Sequence, residues 1–274
     1  MIASGTRAAM RHIIMVLLSL VSLYPIWFTL QTALKSQRTF VLAPVALPLH
    51  PTFANFGNVL AQTPLLTWTV NSVVVTVSAV AASVVLALLA SFALVFGTFR
   101  GRAALLRADL VFMVVPPVVL LLPMFTLMLT IHLFNTLESV IIFYVGLNLP
   151  FSIFFLVNFL RTVPREIVEA GTMDGCSPWR LLWQIVTPMA GAGVFTLVVV
   201  NAVYVWNETL VALVFLQSQG KRTLMAGLAE YVGRFGSNEP LILAGAFLSM
   251  IPMLLLYFAG QRFFIRGLTA GIGK

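Results

Sequence analysis

Long apolar runs separated by short charged segments dominate the pattern along this chain. Intervals without Asp, Glu, Lys or Arg lie at 12–34, 39–99, 110–137, 139–160, 181–207 and 240–261. A helix needs about 20 predominantly apolar residues to cross the hydrocarbon core of a bilayer. The pattern therefore predicts an all-α membrane protein with a single transmembrane domain over residues 1–274. Its six transmembrane helices are predicted near residues 12–33, 66–97, 109–131, 138–160, 189–213 and 240–264.

The segments 35–64 and 217–239 differ from the spans because they carry helix breakers or charges. The first contains four prolines, Pro44, Pro48, Pro51 and Pro64. Prolines at this density disrupt regular secondary structure. The second contains Gly, Lys and Arg. We predict an ordered external loop at 35–64 and a second external loop at 217–239.

Two of the predicted spans carry features that bear on helix packing. In the second span, small side chains recur every four residues, at Ala79, Ser83, Ala87 and Ser91. Such a stripe allows another helix to approach closely. The third span contains Pro116, Pro117 and Pro123. Because proline removes a backbone donor, we expect this span to be kinked.

Composition supports lipid as the solvent of this chain. Hydrophobic residues make up 60% of the sequence and charged residues 9%, against about 45–50% and about 25% in soluble domains. The formal net charge is +8, but the basic residues are scattered in small groups between apolar runs. This scatter indicates membrane topology and argues against a nucleic-acid-binding patch.

The distribution of Lys and Arg predicts the orientation of the chain. With the N-terminus inside, eleven of the 16 basic residues fall in inner segments and five in outer segments. Cytoplasmic loops of membrane proteins are enriched in Lys and Arg. Both termini and the polar segment 161–188 are therefore predicted to be cytoplasmic, in a multi-pass protein of the plasma membrane.

The segment 161–188 is a polar island between two predicted spans, and its sequence predicts a helix, a tight turn and a second helix. Pro164 can open the first helix, because the first turn needs no amide donor. Gly175 is a natural stop, since a left-handed cap is favourable only for Gly or Asn. Ser177 can cap the second helix, with Pro178 at its first position. Pro188 is predicted to mark the return to the membrane.

The first helix of this island carries Glu169, Ala170 and Met173 on one face, because residues three and four apart are neighbours on a helix. A carboxylate beside a small residue could enter a groove of another protein and meet a cation there. An interfacial helix pair with solvated charges would have the same spacing. The residues alone leave both interpretations open.

The order of short motifs along the chain resembles one family. Glu169-Ala170-Gly171 followed by Asp174-Gly175 resembles the EAA loop of ABC importer permeases, with Gly171 in place of the usual second Ala. Other motifs resemble the maltose-type carbohydrate permeases, in particular the shorter, MalG-like subunit. They are Asn71-Ser72, Phe99-Arg100-Gly101-Arg102, Trp206-Asn207-Glu208 and Arg266-Gly267-Leu268-Thr269-Ala270-Gly271. Together the motifs extend over nearly the whole chain.

The resemblance implies a subunit that forms half of a translocation path in a bacterial or archaeal plasma membrane. Its implied partners are a second homologous permease, a dimer of ATP-binding subunits and an extracytoplasmic sugar-binding protein. ATP and Mg²⁺ would bind to the ATPase, and no cofactor to this chain. The resemblance also implies that the cytoplasmic loop docks on the ATPase through Glu169, Ala170, Gly171, Met173, Asp174 and Gly175.

Polar side chains inside or at the ends of the predicted spans are candidates for the translocation path. Such groups are costly in lipid and usually face a cavity or a partner helix. The candidates are Asn71, Asn148, Asn201, Tyr204, Trp206, Asn207 and Glu208. Amides beside aromatic rings suit the hydroxyls and the apolar faces of sugars. Hydrogen bonding between helices is the competing interpretation for each of them.

The sequence carries no motif of an intramembrane enzyme. His12, His50 and His132 lie at span ends or in loops, and no HExxH or GxSxG pattern occurs. Cys176 has no second cysteine in this chain to pair with. We therefore predict a non-catalytic subunit without a metal site. The alternatives are a stand-alone secondary transporter or channel, and an ABC permease for a non-sugar solute such as a glycerophosphodiester.

Overall fold

The computed structural model describes residues 2–236 and 238–270, and this part of the chain contains helices and no strand. We number the helices α1 Ile2–Ala33, α2 Gln37–Leu42, α3 Ala54–Gln62, α4 Leu65–Phe96, α5 Arg102–Phe112, α6 Pro117–Thr130, α7 Leu137–Leu160, α8 Arg165–Met173, α9 Pro178–Met189, α10 Gly191–Asn207, α11 Leu210–Phe215, α12 Leu224–Phe235 and α13 Glu239–Ala270. A short 3₁₀ turn lies at Gln219–Lys221. Residues 271–274 lie outside the described residues. They include Gly271, the last residue of the C-terminal motif.

Among the described residues, three helices are long and apolar enough to cross a membrane: α1 from Met10, α4 and α7. Two bent pairs, α5 with α6 and α9 with α10, raise the number to five if each pair forms one span. The segment Glu239–Leu255 of α13 is a shorter apolar helix. The chain is thus an all-helical protein with several apolar spans, and the count of six remains a prediction.

The third predicted span, 109–131, is not one continuous helix. Helix α5 ends at Phe112 and α6 begins at Pro117, with an angle of 97° between them. Pro116 has the extended ψ of 136°, which is typical of a residue that precedes another proline. Pro116 and Pro117 therefore produce a break where we predicted a kink, whereas Pro123 is accommodated inside α6.

The fifth predicted span and the external loops also differ from the sequence-based expectation. Helix α10 ends at Asn207, and Glu208 is extended with a ψ of 126°, so the helix does not continue to residue 213. The loop predicted at 35–64 contains the short helices α2 and α3, and the loop predicted at 217–239 contains α12. Both segments are therefore partly helical.

The chain divides into two compact units. The larger comprises Leu66–Gly227 and the described residues from Met253 onward. In it the small-residue stripe of α4, Ala79, Ser83, Ala87 and Ser91, is fully buried. Ser91 Oγ donates to the Ile153 carbonyl of α7 at 3.2 Å, so a second helix approaches the stripe as predicted.

The smaller unit comprises the described residues up to Leu65 together with Leu228–Pro252. Lys35 is buried there, and its Nζ donates to the Pro44 carbonyl at 2.6 Å. Asn55 Nδ2 donates to the carbonyls of Ala33 at 2.8 Å and Lys35 at 2.7 Å. Burial lowers the pKa of Lys35 from its ordinary value. These bonds give the proline-rich segment a fixed conformation.

Candidate functional site

Helix α8 ends in a Schellman motif at the predicted turn. Gly175 has a φ of 78°, a left-handed conformation that glycine reaches without steric cost. The Gly175 amide donates to the Thr172 carbonyl at 3.0 Å, and the Cys176 amide donates to the Gly171 carbonyl at 3.0 Å. These bonds satisfy carbonyls that the helix end would otherwise leave unpaired. The tight turn predicted at Gly175 is confirmed.

Helix α9 begins with the predicted cap. The Ser177 side chain accepts a hydrogen bond from the Arg180 amide at 3.3 Å, and Pro178 is the first helical residue. The segment Leu181–Val186 is π-helical, a geometry found frequently at functional sites. The helix continues through Pro188 to Met189 before α10 turns away by 82°. Pro188 therefore does not end the helix, and the bend follows it.

The inner faces of α8 and α9 pack on each other. Val168 and Gly171 are the buried residues of α8, and Leu181 and Val186 are buried on α9. A Cβ atom at Gly171 would lie 2.8 Å from Leu181 Cδ2 and 3.1 Å from Ile185 Cδ1. Gly171 therefore faces the interior of its own chain. This position differs from the expectation that Gly171 belongs to the surface presented to a partner.

The opposite side of α8 is open to solvent. Glu169, Ala170, Met173, Asp174 and Gly175 are all exposed. Met173 exposes 88% of its surface. Within the part of the chain that the structure describes, the Glu169 and Asp174 carboxylates form no hydrogen bond and no ion pair. Five of the six predicted docking residues thus lie on the exposed part of the α8–α9 hairpin.

Sequence analysis missed two apolar residues on this hairpin. Ile167 and Trp179 are 41% and 63% exposed. A tryptophan within a polar loop was the available signal, because exposed apolar groups that form a patch mark interaction sites. We define the docking face as Ile167, Glu169, Ala170, Met173 and Trp179.

Two arginines hold the first turns of α8 and α5 to the C-terminal end of α4. Arg165 Nη2, at the first position of α8, donates to the Val95 carbonyl at 3.4 Å. Arg102 Nη1, at the first position of α5, donates to the Gly97 carbonyl at 3.1 Å. Cations are favourable at a helix C-terminus, where the carbonyl groups carry partial negative charge. Val168 joins Leu94 in one apolar cluster beneath them, so the docking face has a packed base.

A second group of predicted residues surrounds a cavity of about 350 Å³ between the α5–α6 break, α7 and α10. Asn148, Asn201 and Tyr204 all line it. Asn201 Nδ2 donates to Ser152 Oγ at 2.9 Å, and Ser152 Oγ donates to the Asn148 carbonyl at 2.7 Å. Asn148 is 6% exposed, and its Nδ2 has no hydrogen-bond acceptor among the described residues. We call Asn148, Asn201 and Tyr204 the amide cluster.

The other four candidates of the translocation path lie outside this cavity. Asn71 Nδ2 donates to the carbonyls of Gly220 and Arg222, at 3.0 and 2.9 Å, and so fastens the segment that precedes α12. Glu208 accepts a hydrogen bond from the Tyr144 hydroxyl at 2.6 Å and caps α11 through the Leu210 amide. The hydrogen bonds of Asn71 and Glu208 fit the competing interpretation, in which these side chains connect parts of the fold.

Trp206 and Asn207 take different positions at the end of α10. Trp206 is buried, and its Nε1 has no acceptor within the described part of the chain. Asn207 is exposed, and its Nδ2 donates to the Val203 carbonyl at 2.7 Å. Among the described residues, no group of three His, Cys, Asp or Glu side chains is placed to hold a metal ion.

Comparison with known proteins gives matches along almost the whole chain. Residues 83–269 match the family described as binding-protein-dependent transport system inner membrane component. A protein of Caldicellulosiruptor sp. named as ABC transporter permease protein ORF2 is 38% identical, over 93% of this chain and 93% of its own length. The sulfoquinovosyl glycerol transport system permease protein SmoH of Agrobacterium fabrum is 32% identical, over 91% and 88%. The diacetylchitobiose uptake system permease protein NgcG of Streptomyces coelicolor is 29% identical, over 93% and 85%.

A solved structure shares the fold. It is the crystal structure of a bacterial ABC transporter involved in the import of the acidic polysaccharide alginate. One of its chains matches with a TM-score of 0.79 and 23% identity, covering 96% of this chain and 98% of that chain. At this identity, the likeness establishes the arrangement of helices.

Proposed function

We propose that the cargo of this protein is a carbohydrate or glycoside. The proposal starts from the family of the chain, which belongs to the binding-protein-dependent transport system inner membrane components. The chain is a permease subunit of an ABC importer. Such permeases are non-catalytic, and separate subunits hydrolyse ATP. The observation that carries the proposal is the cargo of similar permeases. SmoH is named for sulfoquinovosyl glycerol and NgcG for diacetylchitobiose.

The amide cluster supports this choice of cargo. Its cavity offers amide groups on α7 and α10 beside the aromatic ring of Tyr204. The unpaired Nδ2 of Asn148 can donate to a hydroxyl or ring oxygen of the cargo, whereas Asn201 is held in place by Ser152. A donor beside apolar and aromatic walls suits a ligand with both hydroxyls and apolar faces.

Coupling to ATP hydrolysis is proposed to run through the docking face. The docking face carries an unpaired Glu169 together with Met173 and Trp179, both largely exposed. Such a surface fits a groove that supplies apolar contacts and a cation, and a helix lying in a groove is a common mode of recognition. Asp174 and Gly175 form the turn that ends α8, and Gly171 packs against α9 on the opposite side of α8.

The chain is proposed to have six spans with both termini and the α8–α9 hairpin in the cytoplasm. The excess of Lys and Arg in the inner segments supports this orientation. A second permease completes the translocation path in this arrangement. A dimer of ATP-binding subunits holds ATP and Mg²⁺ below it, and a sugar-binding protein delivers cargo on the other side.

The cargo proposal is tested with the assembled transporter reconstituted in liposomes. ATP hydrolysis and uptake are measured with the binding protein and a panel of oligosaccharides, glycosides and glycerophosphodiesters. We expect ATP-dependent uptake of at least one carbohydrate or glycoside. Uptake of a glycerophosphodiester alone would replace the carbohydrate assignment. Uptake that continues without ATP would favour a secondary transporter.

A further inference from the structure

A second cavity lies between α4, α5, α6 and α7, and it shares three of its lining residues with the cavity of the amide cluster. Its volume is about 600 Å³, within the range of about 300–1,000 Å³ that is typical of small-molecule sites. Its walls are formed by apolar groups such as Ala93, Phe112, Leu120, Pro150 and Ile153. The proposed contacts with the cargo do not account for this cavity, because none of the residues predicted for the translocation path lines it.

Among the described residues that line this cavity, Asp109 is the one with a charged side chain. It lies on α5 between Leu105, Ala108 and Phe112, which also line the cavity. Residues at these spacings share one face of a helix, so the carboxylate and the apolar wall border the same space. Within the described part of the chain, the Asp109 carboxylate has no hydrogen-bond donor and no cation beside it.

Asp109 is half-buried, and a carboxylate in an apolar wall loses part of its hydration unless a donor or cation compensates for the lost water. In the proposed orientation, Asp109 lies at the cytoplasmic end of the third predicted span, where lipid head groups are found. A cationic partner can reach Asp109 from the surroundings of the described chain, because the carboxylate is half-buried and its neighbours Leu105 and Phe112 are exposed. A molecule that combines one cationic group with an apolar body would fill the adjoining space.

We infer that this cavity binds an aminophospholipid, with the primary ammonium of the head group on Asp109 and part of an acyl chain against the apolar wall. The surrounding membrane supplies such molecules at high local concentration, because α4 and α7 are helices able to span it. A primary ammonium offers three N–H donors to a carboxylate. A choline head group has the same charge and no N–H donor, so it provides a matched comparison.

The inference is tested on the assembled transporter in nanodiscs that contain equal amounts of phosphatidylethanolamine and phosphatidylcholine. After delipidation in mild detergent, the retained lipids are quantified by mass spectrometry. We expect the unmodified protein to retain phosphatidylethanolamine several-fold over phosphatidylcholine. Asp109→Asn, which keeps the side-chain shape, should bring this ratio close to that of the bulk lipid. Glu138→Gln, which removes an exposed carboxylate outside the cavity, should leave the ratio unchanged.

A second variant tests the apolar part of the site. Ala108→Trp should fill the cavity and lower the amount of retained phosphatidylethanolamine while Asp109 is intact. Equal lipid ratios in the unmodified protein and Asp109→Asn would overturn the inference. Efficient cross-linking of Phe112→Cys to the second permease would also overturn it, because the partner subunit would then occupy the cavity. None of these results depends on which cargo is transported.

Discussion

Two glycines of the α8–α9 hairpin lie in different environments. Gly175 has a φ of 78° and no atom close to its missing Cβ, so the backbone conformation alone favours glycine. Gly171 lies within the ordinary helix α8, and its missing Cβ faces Leu181 and Ile185. The sequence showed that Gly171 is small where the family has Ala. Only the contacts show that it faces inward.

Substitutions at Gly171 test the close approach of α8 and α9. Gly171→Ala should be nearly neutral, because a helix-propensity gain of about 1 kcal/mol offsets the displacement of the flexible ends of Leu181 and Ile185. Gly171→Leu should lower the thermal stability of the purified complex and reduce the amount of bound ATPase. Thr172→Leu, at the exposed neighbouring position, is the matched control. Equal behaviour of the two leucine variants would contradict the packing.

The amide cluster predicts different effects for its two asparagines. Asn201→Leu removes the donor to Ser152 Oγ and should destabilise the protein by about 1–3 kcal/mol. Asn148→Leu removes an Nδ2 group that has no hydrogen-bond acceptor in the described chain, so the melting temperature of the protein should not change. The KM for cargo should rise, because the proposed donor to the cargo is lost. Thermal unfolding and uptake kinetics measure the two effects. A loss of stability in Asn148→Leu with unchanged uptake would assign that residue to packing.

Turns and helix caps that depend on neighbouring residues were predicted better than bends and helix ends that depend on contacts with residues distant in the sequence. Gly175, Ser177 and Pro178 located the turn and the cap, because each signal acts within one helical turn. Pro116 and Pro117 indicated a kink, but the 97° bend depends on packing that the sequence does not display. The end of α10 was missed for the same reason. Glu208 there bonds Tyr144, which is distant in the sequence.

The turn between α8 and α9 is expected to tolerate only residues that accept a positive φ. Gly175→Asn should preserve assembly and transport, because Asn is the common alternative at this position. Gly175→Val places a β-branched side chain in a left-handed conformation, at a cost of about 1–3 kcal/mol. The ATPase bound per permease and the uptake rate should both fall in this variant. Full transport by Gly175→Val would show that the turn geometry is dispensable.

The contact between α2 and the start of α13 predicts a pH effect in the smaller unit. Gln37 Nε2 donates to Glu239 Oε2 at 2.9 Å, and this hydrogen bond lowers the pKa of Glu239. Its stabilising contribution is therefore present above the ordinary pKa of the carboxyl and is lost as the pH falls through the lowered pKa. The acid-induced fall in melting temperature should be smaller in the Gln37→Leu variant than in the unmodified protein, because the variant lacks this hydrogen bond. The same fall in both proteins would exclude a contribution from this bond.

At the scale of the whole molecule, the α8–α9 hairpin joins the two helices that carry the amide cluster. Asn148 lies on α7, which precedes the hairpin, and Asn201 lies on α10, which follows it. Asn148 is twelve residues before the end of α7, about 18 Å along a helix that rises 1.5 Å per residue. A partner that binds the docking face differently with and without ATP would therefore bias the conformation of both helices.

The docking face is proposed to bind the ATPase. The direct measurement is the amount of ATPase subunit that co-purifies with the tagged permease complex, for the unmodified protein, Glu169→Lys and the control Glu138→Lys. A cation that faces a cation across an interface costs several kcal/mol, and about 1.4 kcal/mol corresponds to a tenfold change in affinity. We expect the amount of ATPase that co-purifies with Glu169→Lys to be at least tenfold lower than with the unmodified protein. Glu138→Lys should retain the amount bound by the unmodified protein. Normal ATPase binding together with normal ATP-driven uptake in Glu169→Lys would contradict the claim.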